Sequence, residues 1–149
     1  MKTPARVLLF GLFSGLLWSV VPGTLANLFE SQANVPGTLL AGLVAGLVTS
    51  LALASVVARF GRVFAIVLGL LSLPLGAFIF GFAFEVIARF FPTLSSGDRT
   101  YLQPWRLGLN YAMLSVISIF AVGLFPLAVF TTLFLRWVIL GGKKRENAA

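Results

Sequence analysis

Uncharged apolar runs, bounded by prolines or basic residues, divide this 149-residue chain into segments. The clearest is residues 37–58, GTLLAGLVAGLVTSLALASVVA, which lies between Pro36 and Arg59. As a helix rising ~1.5 Å per residue it is about 33 Å long, enough to cross a bilayer core of roughly 30 Å. Before it, residues 7–21 are apolar and follow a basic lead with Lys2 and Arg6. A helix beginning near Pro4 or Ala5 brings that run to about 17 residues, the lower limit for a span. After it, Arg59-Phe60-Gly61-Arg62 is a tight basic connection to an apolar stretch over residues 63–91. The last run, residues 108–140, contains Pro126 and has no polar break. It is too long for one untilted span, while two spans need about 40 residues plus a turn. The pattern predicts an all-α integral membrane protein of one domain. Its four transmembrane helices fall at about residues 5–21, 37–58, 63–91 and 109–139, with kinks at Pro74 and Pro126.

The connections follow from the same reading. Residues 22–36 and 92–108 form external loops, residues 59–62 a cytoplasmic turn, and residues 141–149 a tail. Val21-Pro22-Gly23-Thr24-Leu25 echoes Val35-Pro36-Gly37-Thr38-Leu39, which reads as two helix starts. Thr24-Leu25-Ala26 would also suit removal of a leader peptide; the first run is read here as a retained span. In the longer loop, Ser95-Ser96-Gly97-Asp98 reads as a turn. Tyr101 and Trp105, beside Arg99 and Arg106, suit a segment at the headgroup level.

Small residues predict how the helices meet. On a wheel of ~100° per residue, Thr38, Ala41, Gly42, Ala45, Gly46, Thr49 and Ala52 share one arc. Lipid provides no hydrophobic drive between helices, so close backbone approach and van der Waals contact decide the seams. Gly42-x-x-x-Gly46 lies inside the arc, and Gly11-x-x-x-Gly15, with Ser14, offers a matching patch on the first helix. The third helix carries a second stripe of Ala65, Gly69, Ser72, Gly76 and Ala83. The expected packing residues are Gly11, Gly15, Ala41, Gly42, Ala45, Gly46, Thr49, Gly69, Ser72 and Gly76.

Charge then changes the picture in two places. Glu85 and Arg89 stand four residues apart on one helical face of the third segment, away from its small stripe. Glu85 lies 22 residues past Val63, about 33 Å along the axis, so an exposed ion pair at the far membrane interface is expected. Glu85, Arg89, Tyr101 and Trp105 are the candidates for contact with a partner or substrate. The second place is topology. Four spans put both termini on one side with Lys2, Arg6, Arg59, Arg62, Arg136, Lys143, Lys144 and Arg145, eight positives. Only Arg89, Arg99 and Arg106 fall on the other side, which predicts cytoplasmic termini in a bacterial-type inner membrane.

Composition narrows the chemistry. Apolar residues are 59%, charged residues only 10%, and the mean hydropathy is +1.03. The net charge of +7 sits at the ends of apolar runs rather than on a basic face, so nucleic acid is not an expected partner. Without cysteine or histidine, thiolate chemistry and the commonest haem and metal ligand are excluded. No phosphate-cradling glycine motif occurs, and no cofactor, metal or catalytic residue is expected. The reading is a non-catalytic accessory, assembly or scaffold subunit of a larger membrane complex, embedded in the bilayer beside other subunits. The alternative is a small homo-oligomeric transporter or channel using Ser14, Thr49, Ser72 and Glu85.

Overall fold

The structure is a computed structural model that describes residues 3–29, 35–92, 103–117 and 121–146. The described residues form five helices and no strand: α1 (Thr3–Phe29), α2 (Val35–Arg59), α3 (Arg62–Phe90), α4 (Pro104–Ile117) and α5 (Ala121–Glu146). Three of them are long and apolar enough to cross a membrane, over Pro36–Arg59, Arg62–Phe90 and Val122–Gly141. Pro4–Val20 of α1 is a shorter apolar helix.

Several helices overrun the lengths expected from the sequence. α1 passes Pro22 and Gly23 and continues to Phe29, so residues 22–29 are helix rather than loop. Proline removes one donor, but ending a helix among apolar neighbours would strand several backbone groups. α5 likewise passes Gly141 and Gly142 and ends at Glu146, so most of the expected tail is helical. Two glycines cost about 1 kcal/mol each in a helix interior.

Within the last apolar stretch the described residues form two helical segments, on either side of residues 118–120, which lie outside the described residues. α4 begins at Pro104, inside the expected external loop, and ends at Ile117. α5 begins at Ala121 and contains Pro126 in its second turn. There the proline removes only the bond to the carbonyl of Val122, close to an end whose first donors have no helical partner anyway. At ~1.5 Å per residue the described part of α4 is about 21 Å long. It packs along α3 and barely touches α5.

Two apolar clusters lie toward opposite ends of the bundle. Near one end, Val7 and Phe10 of α1 meet Leu135 and Ile139 of α5, with Leu53, Ala54 and Ala58 of α2 against them. Near the other, Ala41 and Ala45 of α2, Phe80, Ala83 and Phe84 of α3, and Leu107 of α4 pack together. The first cluster brings together the start of α1, the end of α2 and the end of α5. Arg6, Arg59, Arg62 and Arg136 therefore share one end of the molecule.

Glycines set the spacing between the clusters. A side chain on Gly15 would reach Cα of Leu43 at 2.8 Å, and one on Gly46 would strike the backbone of Gly15. One on Gly42 would strike Ser19. Between α3 and α5, a Cβ on Gly69 would come within 2.7 Å of Cα of Val129. Between α3 and α4, Gly81 faces the carbonyl of Leu107 and Gly108 faces the carbonyl of Phe78, each at 2.8 Å by the same measure.

The small arc of α2 is thus divided between two partners. Gly42 and Gly46 meet α1, while Ala41, Ala45 and Thr49 turn toward α3. Ala52, assigned to the same arc from the sequence, is exposed.

Candidate functional site

α3 and α4 approach closely where α4 begins. Gly81 and Gly108 let the two backbones approach, and Leu107 enters the cluster of Phe80, Ala83 and Phe84. The ring of Tyr111 tilts onto Phe80 with centroids 5.3 Å apart. Glu85 follows one turn after Gly81 on the same helical face, and Ala88 nearby is also buried. The carboxylate Oε1 of Glu85 accepts from Nε of Arg89 at 3.3 Å.

The two partners differ sharply in exposure, with 3% of the Glu85 side chain accessible against 41% for Arg89. The exposed interfacial pair expected from the sequence is therefore corrected to a buried acid with a half-exposed cation. Its position along α3 alone does not show that α4 folds back over this part of the helix. Burying a charge is expensive unless it is paired and hydrogen-bonded, and Arg89, one turn later, supplies that pairing. Chemically, the arrangement offers a buried carboxylate hydrogen-bonded to a cation that reaches the surface.

Trp105 and Arg106 open α4. The indole Nε1 of Trp105 donates to Oε1 of Gln103 at 2.7 Å, and the guanidinium of Arg106 lies 5.3 Å from the Trp105 ring centroid. Trp105 is exposed, with its polar edge already engaged. Tyr101, the other aromatic candidate, lies outside the described residues.

The remaining candidates distribute along the seams. Gly11, Gly15, Gly42 and Gly46 sit between α1 and α2; Ala41 and Ala45 face α3; Gly69 faces α5. Gly76 faces Thr49 more loosely, with 3.8 Å to its Oγ1 from an added Cβ. That hydroxyl is buried and without a hydrogen-bond partner among the described residues. The Ser72 hydroxyl donates to the carbonyl of Gly69 in its own helix at 2.7 Å. Among the described residues, no three of His, Cys, Asp or Glu gather as metal ligands.

Sequence reasoning missed four residues here. Gly81 stands outside the small stripe of α3, and Gly108 sits at what reads as a helix boundary. Ser19 was passed over beside the glycines, although it is buried against Gly42. Arg136 reads as a marker of the membrane interface, yet its Nη1 donates to the carbonyls of Val57 at 3.1 Å and Phe60 at 2.8 Å.

The outer faces are apolar throughout. Leu9, Phe13 and Val20 of α1, Val63 and Leu71 of α3, and Val122, Phe130 and Trp137 of α5 are all exposed. A soluble protein rarely leaves such continuous apolar surface to water. Long apolar helices with lipid-like outer faces define a helical membrane protein. Comparison with protein-family models, curated proteins and solved structures yields no match.

Proposed function

We propose that this chain is a non-catalytic accessory or assembly subunit of a larger membrane complex. It crosses the bilayer four times, through α1, α2, α3 and α5, with α4 lying against α3 on the outer side. Both termini then face the cytoplasm of a bacterial-type inner membrane. The clustering of Arg6, Arg59, Arg62 and Arg136 at one end supports that orientation. Because the chain has no cysteine, single-cysteine variants at Gly61 and Gln103 test it. Labelling from opposite sides of intact membranes is expected, and labelling from the same side defeats the topology.

The observation that carries the subunit reading is how the internal hydroxyls are used. Ser19 donates to the carbonyl of Leu16, Ser72 to Gly69, Ser115 to Ala112, and Thr131 and Thr132 to Ala128, all within their own helices. Their donors are thereby taken up inside each helix rather than turned across the seams. The seams are closed by glycine and alanine, while the outer faces offer leucine, valine and phenylalanine to lipid or to other subunits. The test is the mass and composition of the complex extracted from native membranes in mild detergent. Defined companions of other sequence support the subunit reading, and the chain alone or in homo-oligomers defeats it.

One observation favours the second reading, a small homo-oligomeric transporter. An acid inside a membrane bundle marks a substrate or proton path by default, and Glu85 is buried. Loss of pH-coupled flux in Glu85→Gln, with assembly intact, would select it.

A further inference from the structure

We propose that the groove between α1 and α5 holds one acyl chain of an anionic glycerophospholipid, with the lipid phosphate at Arg6. The groove has a volume of about 240 Å³ and is lined by Phe10, Phe13 and Leu17 of α1 and by Phe130, Thr131 and Phe134 of α5, among others. The Thr131 hydroxyl donates to the carbonyl of Ala128 at 2.9 Å, so it is already engaged. Ser14 also lines the groove, which presents no polar surface, so what enters is apolar. Phe13 and Phe130, on its rim, are both exposed, so it is reached from the lipid side.

The two ends of the groove differ in charge. At one end Phe10 and Phe134 approach with centroids 5.8 Å apart. Four residues before Phe10, one turn outward on the same face, stands Arg6. Three residues after Phe134 stands Trp137, stacked on it at 5.5 Å and exposed. Arg6 makes no hydrogen bond or ion pair among the described residues, and it is partly exposed. Arg59, Arg62 and Arg136 share this end, whereas Glu85, the one acid whose side chain is described, lies by α4. An apolar slot ending at a cation and an interfacial tryptophan matches a lipid with a negative headgroup, since basic residues near a surface attract anionic lipid.

This inference rests on the reading that α1 and α5 lie in a bilayer. Native mass spectrometry of the full chain, purified into micelles containing phosphatidylglycerol or phosphatidylcholine, tests it. The expected result is one phosphatidylglycerol retained per chain in preference to phosphatidylcholine. Arg6→Ala should lower that retention about fivefold, the loss of one basic contact, and Arg6→Lys should restore most of it. Leu17→Trp, which fills the groove from its lipid-facing edge, should abolish retention with Arg6 still present. Equal retention of the two lipids, or variants that match the parent, overturns the site. A co-purifying polypeptide lost in Leu17→Trp also overturns it, because the groove then belongs to a partner. Flotation with vesicles separates the two failures. A chain that does not float defeats the membrane reading itself, and one that floats without discriminating lipids defeats only the lipid site.

Discussion

The guanidinium of Arg136 donates to the backbone carbonyl of Phe60 at 2.8 Å, joining α5 to the turn between α2 and α3. The same Nη1 also reaches the carbonyl of Val57 at 3.1 Å. Carbonyls at a helix C-terminus lack intrahelical donors and carry partial negative charge. One cation thus satisfies two acceptors at the end of α2 and ties a residue 76 positions away in sequence.

Arg136→Ala should therefore loosen this end of the bundle. A hydrogen bond to a charged group contributes about 1.5–3 kcal/mol, and partial exposure of Arg136 puts the expected loss at the lower figure. Arg136→Lys keeps a cation but not the planar fork, so partial retention is expected. Hydrogen exchange at the amides of Phe60 to Val63 reads the effect locally. Unchanged protection in Arg136→Ala would show that the contact holds nothing.

Glycine substitutions should divide by what each added carbon meets. Gly46→Val drives a side chain into the backbone of Gly15, which has no rotamer to yield. Overpacking costs about 1–3 kcal/mol where side chains can shift, and the upper end or more is expected here. Gly123→Ala meets nothing within 4 Å, and Gly76→Ala meets only Thr49 at ordinary contact distance. Both should melt at or above the parent in detergent, as followed by circular dichroism. Equal melting of Gly46→Val and Gly123→Ala would mean that the α1–α2 seam does not set stability.

How much of this was legible from the residues alone depends on the feature. The span over residues 37–58 needs only length and the absence of charge, and α2 occupies Val35–Arg59. The partition of its small arc was not legible: Ala41 and Gly42 lie on opposite sides of the arc, about 100° apart, and composition does not say that the two sides meet different helices. Composition marks small residues without naming their partners. The burial of Glu85 is not legible either, because position along α3 gives depth and says nothing of which helices cover the side chain.

The Glu85–Arg89 pair should respond asymmetrically to deletion. Arg89→Ala leaves a carboxylate only 3% accessible without its cation, whereas Glu85→Gln leaves a guanidinium already 41% exposed. Leaving the buried carboxylate without its cation costs about 3–5 kcal/mol. Removing the acid from Arg89, which is partly exposed and keeps another contact, should cost little. The double variant, Glu85→Gln with Arg89→Ala, should recover most of the loss, because no buried charge remains. Unfolding midpoints in mixed detergent measure all three, and equal losses in the two single variants would contradict the observed burial.

Thr49 tests whether the α2–α3 seam is dry. Its Oγ1 is buried with no hydrogen-bond partner among the described residues, across from Gly76. A buried hydroxyl left unpaired costs about 1–3 kcal/mol. Thr49→Val keeps the branched shape and removes the polar atom, so a gain of about 1 kcal/mol in stability is expected if no water or ligand reaches it. Thr49→Ser keeps the hydroxyl and loses a methyl group, and should be the less stable of the two. The sign of the Thr49→Val change decides the matter. A loss would mean that the hydroxyl has a partner in the membrane, a water or a transported species. Because Thr49 belongs to the polar set of the transporter reading, that result would shift weight from subunit to transporter.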